Sequence, residues 1–495
     1  MFNPKRLHPI TILLELLAVI RQVIVPVALY FIVFAMRDGK DQMIPIEGLM
    51  DWIRQYGPMI AIGVILLFSV GASVIKWVRY TYRVEDMELR IEHGLFIKKK
   101  RYIPFERIQS LDFSEGIFHR PFGLVKVKVE TAGGAKESEA EMSAIKKEDA
   151  LAIQQLINDA KANKNFTEEL TIDKENKETI LYKITGRQLL FFASTSGRAG
   201  VIISAVVAFG SQFEGLIPFE KIFKGMGELI RTGYLLLTFI VFILFLFAWI
   251  ISVIITYLKY NDFTLRKVEE DLVITRGLLE KRTTTIPIKK IQAVKITESP
   301  FRQPFGYASV AVEYAGSSVE EEKADGMLMP VVKKKAVAAM LQDALPDYVF
   351  DLDFTRVPKR AKRRFYLIKM VQALIVTVAL SVWLWPYGLI ASLLIALSWV
   401  IGVLQYRSAG WNITNNQLVI RYRDIQQQTV YMRKNRIQSI KCSVNWFQKR
   451  ADLATVTTAV MSGGMSSFSI KHVDANEAAT MYEWYRPTSV YPENE

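Results

Sequence analysis

The sequence IPFERIQS at residues 103–110 recurs as IPIKKIQA at residues 286–293 and as MRKNRIQS at residues 432–439. At the same distance after each copy comes a second shared motif: FHRPFGLVKV (118–127), FRQPFGYASV (301–310) and FQKRADLATV (447–456). A pair of long apolar stretches precedes each copy. Repetition on this scale predicts three copies of one structural unit, each with two membrane crossings followed by a small domain.

The composition agrees with alternating membrane and aqueous segments. Hydrophobic residues make up 51% of the chain and charged residues 23%, and the mean hydropathy is +0.18. This mixture is not typical of a single soluble domain. Cys442 is the only cysteine, which excludes an intrachain disulfide and a thiolate metal cluster. Its sequence neighbours predict a buried strand residue.

Six apolar segments are close to the roughly 20 residues that a helix needs to cross a bilayer. They are 12–36, 58–79, 189–211, 233–257, 365–384 and 387–405. The first segment of each pair contains one cation: Arg21, Arg198 or Lys369. A cation inside a span is a functional candidate, whereas a cation in an interfacial helix extends its charge to the lipid headgroups. The equivalent placement in all three units favours the interfacial position.

The distribution of charge predicts the orientation. The loops 37–57 and 212–232 have no net positive charge and the loop 385–388 is uncharged, although the whole chain has a net charge of +14. Because positive residues accumulate on the cytoplasmic side, we expect both termini and all three domains in the cytoplasm. Basic residues beside anionic lipid explain the pI of about 9.5, so no nucleic-acid partner is needed.

Short stretches of alternating apolar and polar residues in each unit predict β-strands. They include 88–96, 126–130, 309–314 and 417–422. A segment with helical periodicity ends each unit, at 143–161, 333–345 and 474–485. Six or seven antiparallel strands and one C-terminal helix predict a small barrel or sandwich that the helix closes.

Units one and two share the ordered motifs L-x-I-x-x-G-L, I-P-x-x-x-I-Q, F-x-x-P-F-G and an alternating strand. This set resembles the bacterial pleckstrin-homology-like membrane protein family (YdbT type), and the resemblance covers essentially the whole chain. It implies a multi-pass α-helical membrane protein with three cytoplasmic α+β domains of pleckstrin-homology type. In unit three Arg433 replaces the first proline and Ala451-Asp452 replaces Phe-Gly. That copy should keep the fold without the contribution of the Pro-Phe-Gly corner.

The predicted organisation follows from these patterns. It comprises hairpin 1 (1–79), domain 1 (80–165), a charged linker (166–186), hairpin 2 (187–260), domain 2 (261–350), a basic segment with hairpin 3 (351–405) and domain 3 (406–495). The corner phenylalanine is expected to plug the end of the barrel, and the repeated glutamine to satisfy backbone groups at a strand end. The repeat positions with such structural roles are Pro104, Gln109, Pro121, Gly123, Pro287, Gln292, Pro304, Gly306 and Gln438.

The sequence contains no phosphate-binding loop, no H-E-x-x-H motif and no paired-cysteine metal spacing, and its four histidines are scattered. We therefore expect no enzymatic activity, no cofactor and no metal site.

A basic run in domain 1, between its first two predicted strands, is the first candidate for binding. It consists of Lys98, Lys99, Lys100 and Arg101. The resemblance implies a phosphoinositide site in this loop, but bacteria generally lack such lipids. Unit two has a thinner set and unit three has none. A run that lies on anionic headgroups is therefore favoured over a specific lipid site.

An apolar stripe in the second outer loop is the other candidate. It consists of Phe219, Ile222, Phe223, Met226 and Ile230, at helical spacing behind Pro218. Such a helix lies in the outer membrane interface. It either packs against the helix bundle or forms a docking surface for a partner or an amphipathic peptide.

These patterns favour a non-enzymatic membrane scaffold. The resemblance implies a complex with a smaller homologous membrane protein and, for some family members, protection against membrane-active bacteriocins. The expected partners are membrane lipids, that smaller protein and extracellular amphipathic peptides. Two alternatives remain open. One is a transporter or channel that uses Arg21, Arg198 and Lys369, and the other is a sensor of anionic lipid that uses the basic run of domain 1.

Overall fold

The computed structural model describes residues 4–20, 22, 49–131, 140–164, 178–196, 234–314, 326–383, 385, 387–462 and 465–486. Most of the predicted spans 12–36 and 189–211 lies outside these residues. So do Arg21, Arg198 and the predicted stripe of Phe219, Ile222, Phe223, Met226 and Ile230.

The described helices divide into membrane-type helices and short helices of the domains. They are α1 (Ile10–Ile20), α2 (Leu49–Arg79), α3 (Lys147–Lys164), α4 (Gly186–Ser194), α5 (Tyr234–Tyr260), α6 (Lys334–Gln342), α7 (Lys362–Trp383), α8 (Leu393–Ser408), α9 (Trp446–Lys449) and α10 (Ala475–Tyr485). Four segments are long and apolar enough to cross a membrane: Ile62–Arg79, Phe242–Tyr260, Lys359–Trp383 and Gly388–Ser408. They coincide with four of the six predicted spans.

Each unit contains seven antiparallel strands followed by one helix, as the sequence predicted. Unit one has β1 (Lys5–Arg6), β2 (Thr81–Glu85), β3 (Glu88–His93), β4 (Lys99–Pro104), β5 (Ile108–Glu115), β6 (Leu124–Thr131) and β7 (Ala140–Lys146). Unit two has β8 (Thr179–Lys183), β9 (Thr264–Val268), β10 (Asp271–Arg276), β11 (Lys281–Pro287), β12 (Ile291–Glu298), β13 (Tyr307–Tyr314) and β14 (Met327–Lys333). Unit three has β15 (Thr355–Arg356), β16 (Gly410–Thr414), β17 (Gln417–Arg423), β18 (Gln427–Arg433), β19 (Ile437–Ser443), β20 (Leu453–Met461) and β21 (Met465–Asp474).

The first strand of each domain precedes its membrane hairpin in the chain. β1 pairs with β2, β8 with β9, and β15 with β16. The predicted starts of the domains at 80, 261 and 406 therefore omit a strand, and β8 lies inside the predicted linker 166–186. These first strands were missed because two of them, Lys5–Arg6 and Thr355–Arg356, have only two residues. A strand of this length is too short to show an alternation of apolar and polar residues. In each unit a helix follows the first strand and another helix precedes the second strand, so the domain is connected to its apolar helices at two points.

The sheets run from one domain into the next. Their strand orders are β1-β2-β3-β4, then β7-β6-β5-β11-β10-β9-β8, then β14-β13-β12-β18-β17-β16-β15, and β19-β20-β21. β5 of domain 1 thus pairs with β11 of domain 2, and β12 of domain 2 with β18 of domain 3. The sequence predicted three separate barrels or sandwiches, and this continuity was missed. Paired strand edges satisfy main-chain groups that an isolated domain would leave open.

We call the β5–β11 pairing the first joint and the β12–β18 pairing the second joint. The hydrophobic cores also cross the second joint. Val419 and Tyr431 of domain 3 belong to the buried cluster of domain 2. In return, Ala293 of domain 2 belongs to the buried cluster of domain 3. Since each domain contributes side chains to its neighbour's core, domains 2 and 3 form one packed body.

A polar network reinforces this joint. The carboxylate of Glu298, only 6% exposed, accepts hydrogen bonds at 2.8 Å from Lys334 Nζ and from Gln427 Nε2. Gln427 Oε1 accepts one from Arg423 Nη2 at 3.2 Å, and Arg423 Nε donates to Ser408 Oγ at 2.9 Å. Because Ser408 ends α8, the network connects domain 2, domain 3 and a membrane helix.

Substitution Glu298→Ala should destabilise the protein by about 1–3 kcal/mol, since it leaves the buried side-chain amide of Gln427 without its acceptor. Thermal unfolding of the full chain in detergent measures the effect. Glu280→Ala is the matched control, because Glu280 pairs with Arg282 at 2.9 Å on the surface and its loss should cost less than about 1 kcal/mol. Equal melting temperatures for the two variants would contradict the role of this network.

Candidate functional site

The basic run of domain 1 lies on a strand rather than in a loop. Lys98 precedes β4, and Lys99, Lys100 and Arg101 are its first three residues. Lys98 forms an ion pair with Glu92 on β3, and Lys100 Nζ lies 3.8 Å from the same carboxylate. The hydrogen bond from Lys98 is the main cause that lowers the pKa of Glu92. Since one carboxylate faces several cations, the run keeps a net positive charge.

The turn that leads into the basic run lies against the end of a membrane helix. Arg79, the last residue of α2, donates from Nη1 to the carbonyl of Leu95. The next two side chains, Phe96 and Ile97, are 80% and 76% exposed. Exposed apolar groups beside a membrane helix, followed by cations, are typical of a segment that rests on the membrane interface.

The equivalent turns of domains 2 and 3 have the same position. Leu278 N donates to the carbonyl of Leu258 in α5 at 2.9 Å, and Gln405 Nε2 of α8 donates to the carbonyl of Asp424 at 3.0 Å. These turns also expose apolar side chains, namely Leu278, Leu279 and Ile425. All three domains therefore present this turn at the end of a membrane helix.

The corner after the fifth strand of each domain depends on a left-handed residue. Gly123 and Gly306 have φ angles of 62° and 70°, and Asp452 has 48° at the equivalent place in domain 3. Aspartate is among the few residues other than glycine that visit this conformation routinely. Domain 3 therefore keeps the left-handed corner without Phe-Gly, whereas the sequence predicted only that it keeps the fold. Pro121 and Pro304 lie in the first turn of the short 3-10 helix that forms it.

The prediction that the corner phenylalanine plugs the barrel is wrong. Phe122 and Phe305 are 58% and 66% exposed, because the C-terminal helix already closes the barrel and the corner faces the membrane hairpin. The ring of Phe305 lies edge-on to that of Phe191 on α4, with centroids 5.6 Å apart. Each corner exposes further large apolar side chains: Ile117, Phe118, Phe301, Val444, Trp446 and Phe447. Aromatic side chains in this position are typical of the membrane–water interface.

Arg302 is a linking residue that sequence reasoning missed. It is buried, and its guanidinium donates to Thr195 Oγ1 at 2.7 Å, to Ser309 Oγ at 3.0 Å and to the carbonyl of Phe192 at 3.2 Å. Burial lowers the pKa of Arg302 to about 10, so it remains charged at neutral pH. A cation at the C-terminal end of α4 is favourable. The equivalent positions hold His119 and Gln448, and this difference in residue type hid the position.

Lys369 lies where the interfacial interpretation places it. Its ammonium group donates to Gln405 Oε1 on α8, and the same glutamine donates to the carbonyl of Asp424 in domain 3. Because the side chain of Gln405 links Lys369 to domain 3, Lys369 lies toward the end of α7 that is nearest this domain. The other two cations of the predicted set, Arg21 and Arg198, are outside the described residues.

The remaining repeat positions have mixed outcomes. Pro104 and Pro287 each precede a 3-10 turn, and buried Gln292 donates to the carbonyl of Lys290 at 2.9 Å, as predicted. Gln438, in contrast, is exposed, and the side chain of Gln109 is not among those described. Cys442 is exposed, so the prediction of a buried thiol is wrong. The reason is that β19 pairs with β20 alone among the described strands, which leaves its other edge exposed.

Among the described residues, no group of three His, Cys, Asp or Glu side chains is arranged to hold a metal ion. The described surfaces with a distinct chemical character include the apolar corners and turns, the basic run and the strand edges.

Comparisons with known proteins agree with this architecture. The model of the bacterial PH domain matches three segments, residues 22–161, 221–345 and 366–488. The chain is 36% identical to UPF0699 transmembrane protein YdbT of Bacillus subtilis (strain 168), over 98% of both chains. No solved structure matches it.

A spin label at position 305 should report the membrane interface. We expect a nitroxide on Phe305→Cys, in a Cys442→Ser background, to collide more often with oxygen than with a water-soluble nickel complex in proteoliposomes. A label on Glu270→Cys is the control, because residue 270 lies in the turn between β9 and β10, five strand residues beyond the end of α5. Power-saturation electron paramagnetic resonance measures both. Equal access of the nickel complex to both sites would contradict the membrane contact.

Proposed function

Because this chain belongs to the bacterial PH domain family, we propose that it is a non-enzymatic scaffold of the bacterial cell membrane. In this proposal it crosses the membrane several times, its three domains and both termini are cytoplasmic, and it acts with a smaller homologous membrane protein. Its cellular role is protection against membrane-active antimicrobial peptides.

One observation carries the scaffold proposal: domains of this fold join one another through main-chain strand edges. The chain makes this junction twice, at β5–β11 and at β12–β18. A domain that pairs with its relatives in this way is an assembly module. The same junction supports a complex with a separate chain that carries one such domain.

The charge at the helix ends supports the proposed orientation. The helices that enter domains 1, 2 and 3 end in basic residues, namely Lys76 and Arg79 in α2, Lys259 in α5 and Arg407 in α8. Positive residues beside a span favour the cytoplasmic side. The exposed apolar turns and corners then rest on the inner leaflet.

Lipid binding by the basic run is the second candidate function. The exposed Phe96 and Ile97 lie directly before Lys98, which is the combination of apolar anchor and cations that binds anionic membranes. In this alternative, domain 1 senses the lipid composition of the inner leaflet.

The outer stripe gives the direct test of peptide protection. Replacing both Phe219 and Phe223 by serine should abolish protection, because burial of each large apolar side chain contributes about 1.5–3 kcal/mol to binding. Survival of cells exposed to an amphipathic bacteriocin is the readout, with protein level and membrane insertion measured in parallel. Leu49→Ser with Met50→Ser is the matched control, since the first outer loop has fewer large apolar groups. Full protection by the Phe219/Phe223 variant at normal protein level would overturn this role.

A variant without the three cations of the predicted spans distinguishes the scaffold from a transporter. The combined variant Arg21→Gln, Arg198→Gln and Lys369→Gln should lower the amount of protein in the membrane without loss of protection per molecule, because these residues anchor helices at headgroup depth. Immunoblotting normalises the survival assay. Normal protein level with complete loss of protection would instead favour a transport pathway.

A further inference from the structure

The two joints between domains share one register. In the first joint Glu115 stands opposite Lys281, and Phe113 opposite Thr283. In the second joint Glu298 stands opposite Gln427, and the pairing continues to Ala293 opposite Met432. Glu115 and Glu298 are equivalent residues of the repeat, as are Lys281 and Gln427. Each joint therefore places a carboxylate of one domain beside the first residue of the fourth strand of the next domain. We call this fourth strand the receiving strand.

The receiving strand of domain 1 is β4, which pairs with β3 on one edge and has no described strand on the other. The sheet order ends at β4 on one side. The residues equivalent to Lys281 and Arg282 at the start of β11 are Lys98 and Lys99. Tyr102 on β4 is 51% exposed, whereas its equivalents Thr285 and Tyr431 in the occupied joints are 9% and 4% exposed. β4 therefore resembles β11 and β18 but lacks the fifth strand that pairs with each of them.

The opposite end of the array, at β19, lacks the acidic residue that both joints contain. β19 occupies the place of the fifth strand, and α10 packs against it. Tyr485 Oη donates to the carbonyl of Gln438 at 3.0 Å, and Cys442 Sγ lies 3.6 Å from the carbonyl of Ala478. Val444 replaces the carboxylate that Glu115 and Glu298 supply in the joints. The C-terminal end therefore lacks the acidic residue that the fifth strand supplies in both joints.

We propose that β4 is a docking edge for the fifth strand of a PH-like domain from another chain, and that this strand carries an acidic residue opposite Lys98. The inference rests on the proposed scaffold role and assigns the site at which the partner binds. Its partner is defined by chemistry: a free fifth-strand edge, with aspartate or glutamate at the position of Glu115.

Charge favours this occupant over a second copy of the chain. The joint register would place Arg101 of one copy opposite Lys441 of the other. Like charges at facing positions of a strand pair are destabilising. Lysines on an exposed edge also suppress non-specific pairing, while an acidic strand neutralises them. The basic run therefore disfavours the pairing of β4 with most strands and favours a strand that carries an acidic residue opposite Lys98.

The test uses the full chain, co-expressed with a smaller PH-like membrane protein of the same organism that has an acid at the Glu115 position. In a Cys442→Ser background, Lys100→Cys is combined with a cysteine at the partner residue equivalent to Phe113. The joint register predicts that these two cysteines form a disulfide under mild oxidation. Phe113→Cys with Thr283→Cys inside the chain is the positive control, because these two residues face each other in the first joint.

Charge exchange gives the second arm. Lys98→Glu should reduce the co-purified partner at least about tenfold, since facing like charges are costly. Replacement of the partner's acid by lysine should restore it. Lys335→Glu, on the exposed surface of α6, is the matched control and should leave co-purification unchanged.

The outcomes separate the docking edge from the scaffold role. The registered disulfide together with restoration by charge exchange would establish the edge. Co-purification that Lys98→Glu does not change would overturn the edge and leave the scaffold role standing, whereas no co-purification at all would overturn both. A disulfide between copies that combine Lys100→Cys with native Cys442 would show head-to-tail self-assembly instead. If Lys98→Glu only weakens binding to vesicles rich in phosphatidylglycerol, the run is a headgroup site and the proposal fails.

Discussion

Main-chain hydrogen bonding between strands of successive domains is the constraint on which the rest of the structure depends. Every strand presents donors and acceptors on two edges, and a small barrel of two sheets leaves the edges of its fourth and fifth strands open. Here the fifth strand of one domain closes the fourth strand of the next, at β5–β11 and at β12–β18. The three domains therefore cannot turn independently. Burial of Val419 and Tyr431 in the neighbouring core follows from this closure.

The membrane hairpins are attached to these connected sheets. Each is inserted between the first and second strands of its domain, so that the chain leaves and re-enters the sheet beside the bilayer. Arg302 fastens the end of α4 to domain 2, and Lys369 with Gln405 connects α7 and α8 to domain 3. The exposed turns lie at the domain ends of the membrane-type helices. Helices and sheets together hold each domain in place beside these helix ends.

Domain 3 shows which parts of the repeat are essential for the fold. It has lost Phe-Gly and the first proline, yet it keeps seven strands, because Asp452 adopts the left-handed conformation and the Asn445–Gln448 capping box begins α9. What it has lost is the acid at the end of its fifth strand. Its divergence therefore lies at the start of the 3-10 turn, at the corner and at the end of the fifth strand, and its core is retained.

The sequence by itself determined the repeat, the strand and helix content of each unit and four of the spans, because these follow from local periodicity and from apolar stretches of membrane length. It also located the Pro-Phe-Gly corner, though not the direction of Phe122 and Phe305, since orientation depends on what fills the barrel. Only the tertiary structure decided which strand edges meet, that β1, β8 and β15 precede their hairpins, and that Arg302 caps α4. Those features are contacts between residues far apart in the chain, and no local pattern encodes them. The basic run illustrates the division: its charge was visible in the sequence, but its place on an open strand edge was not.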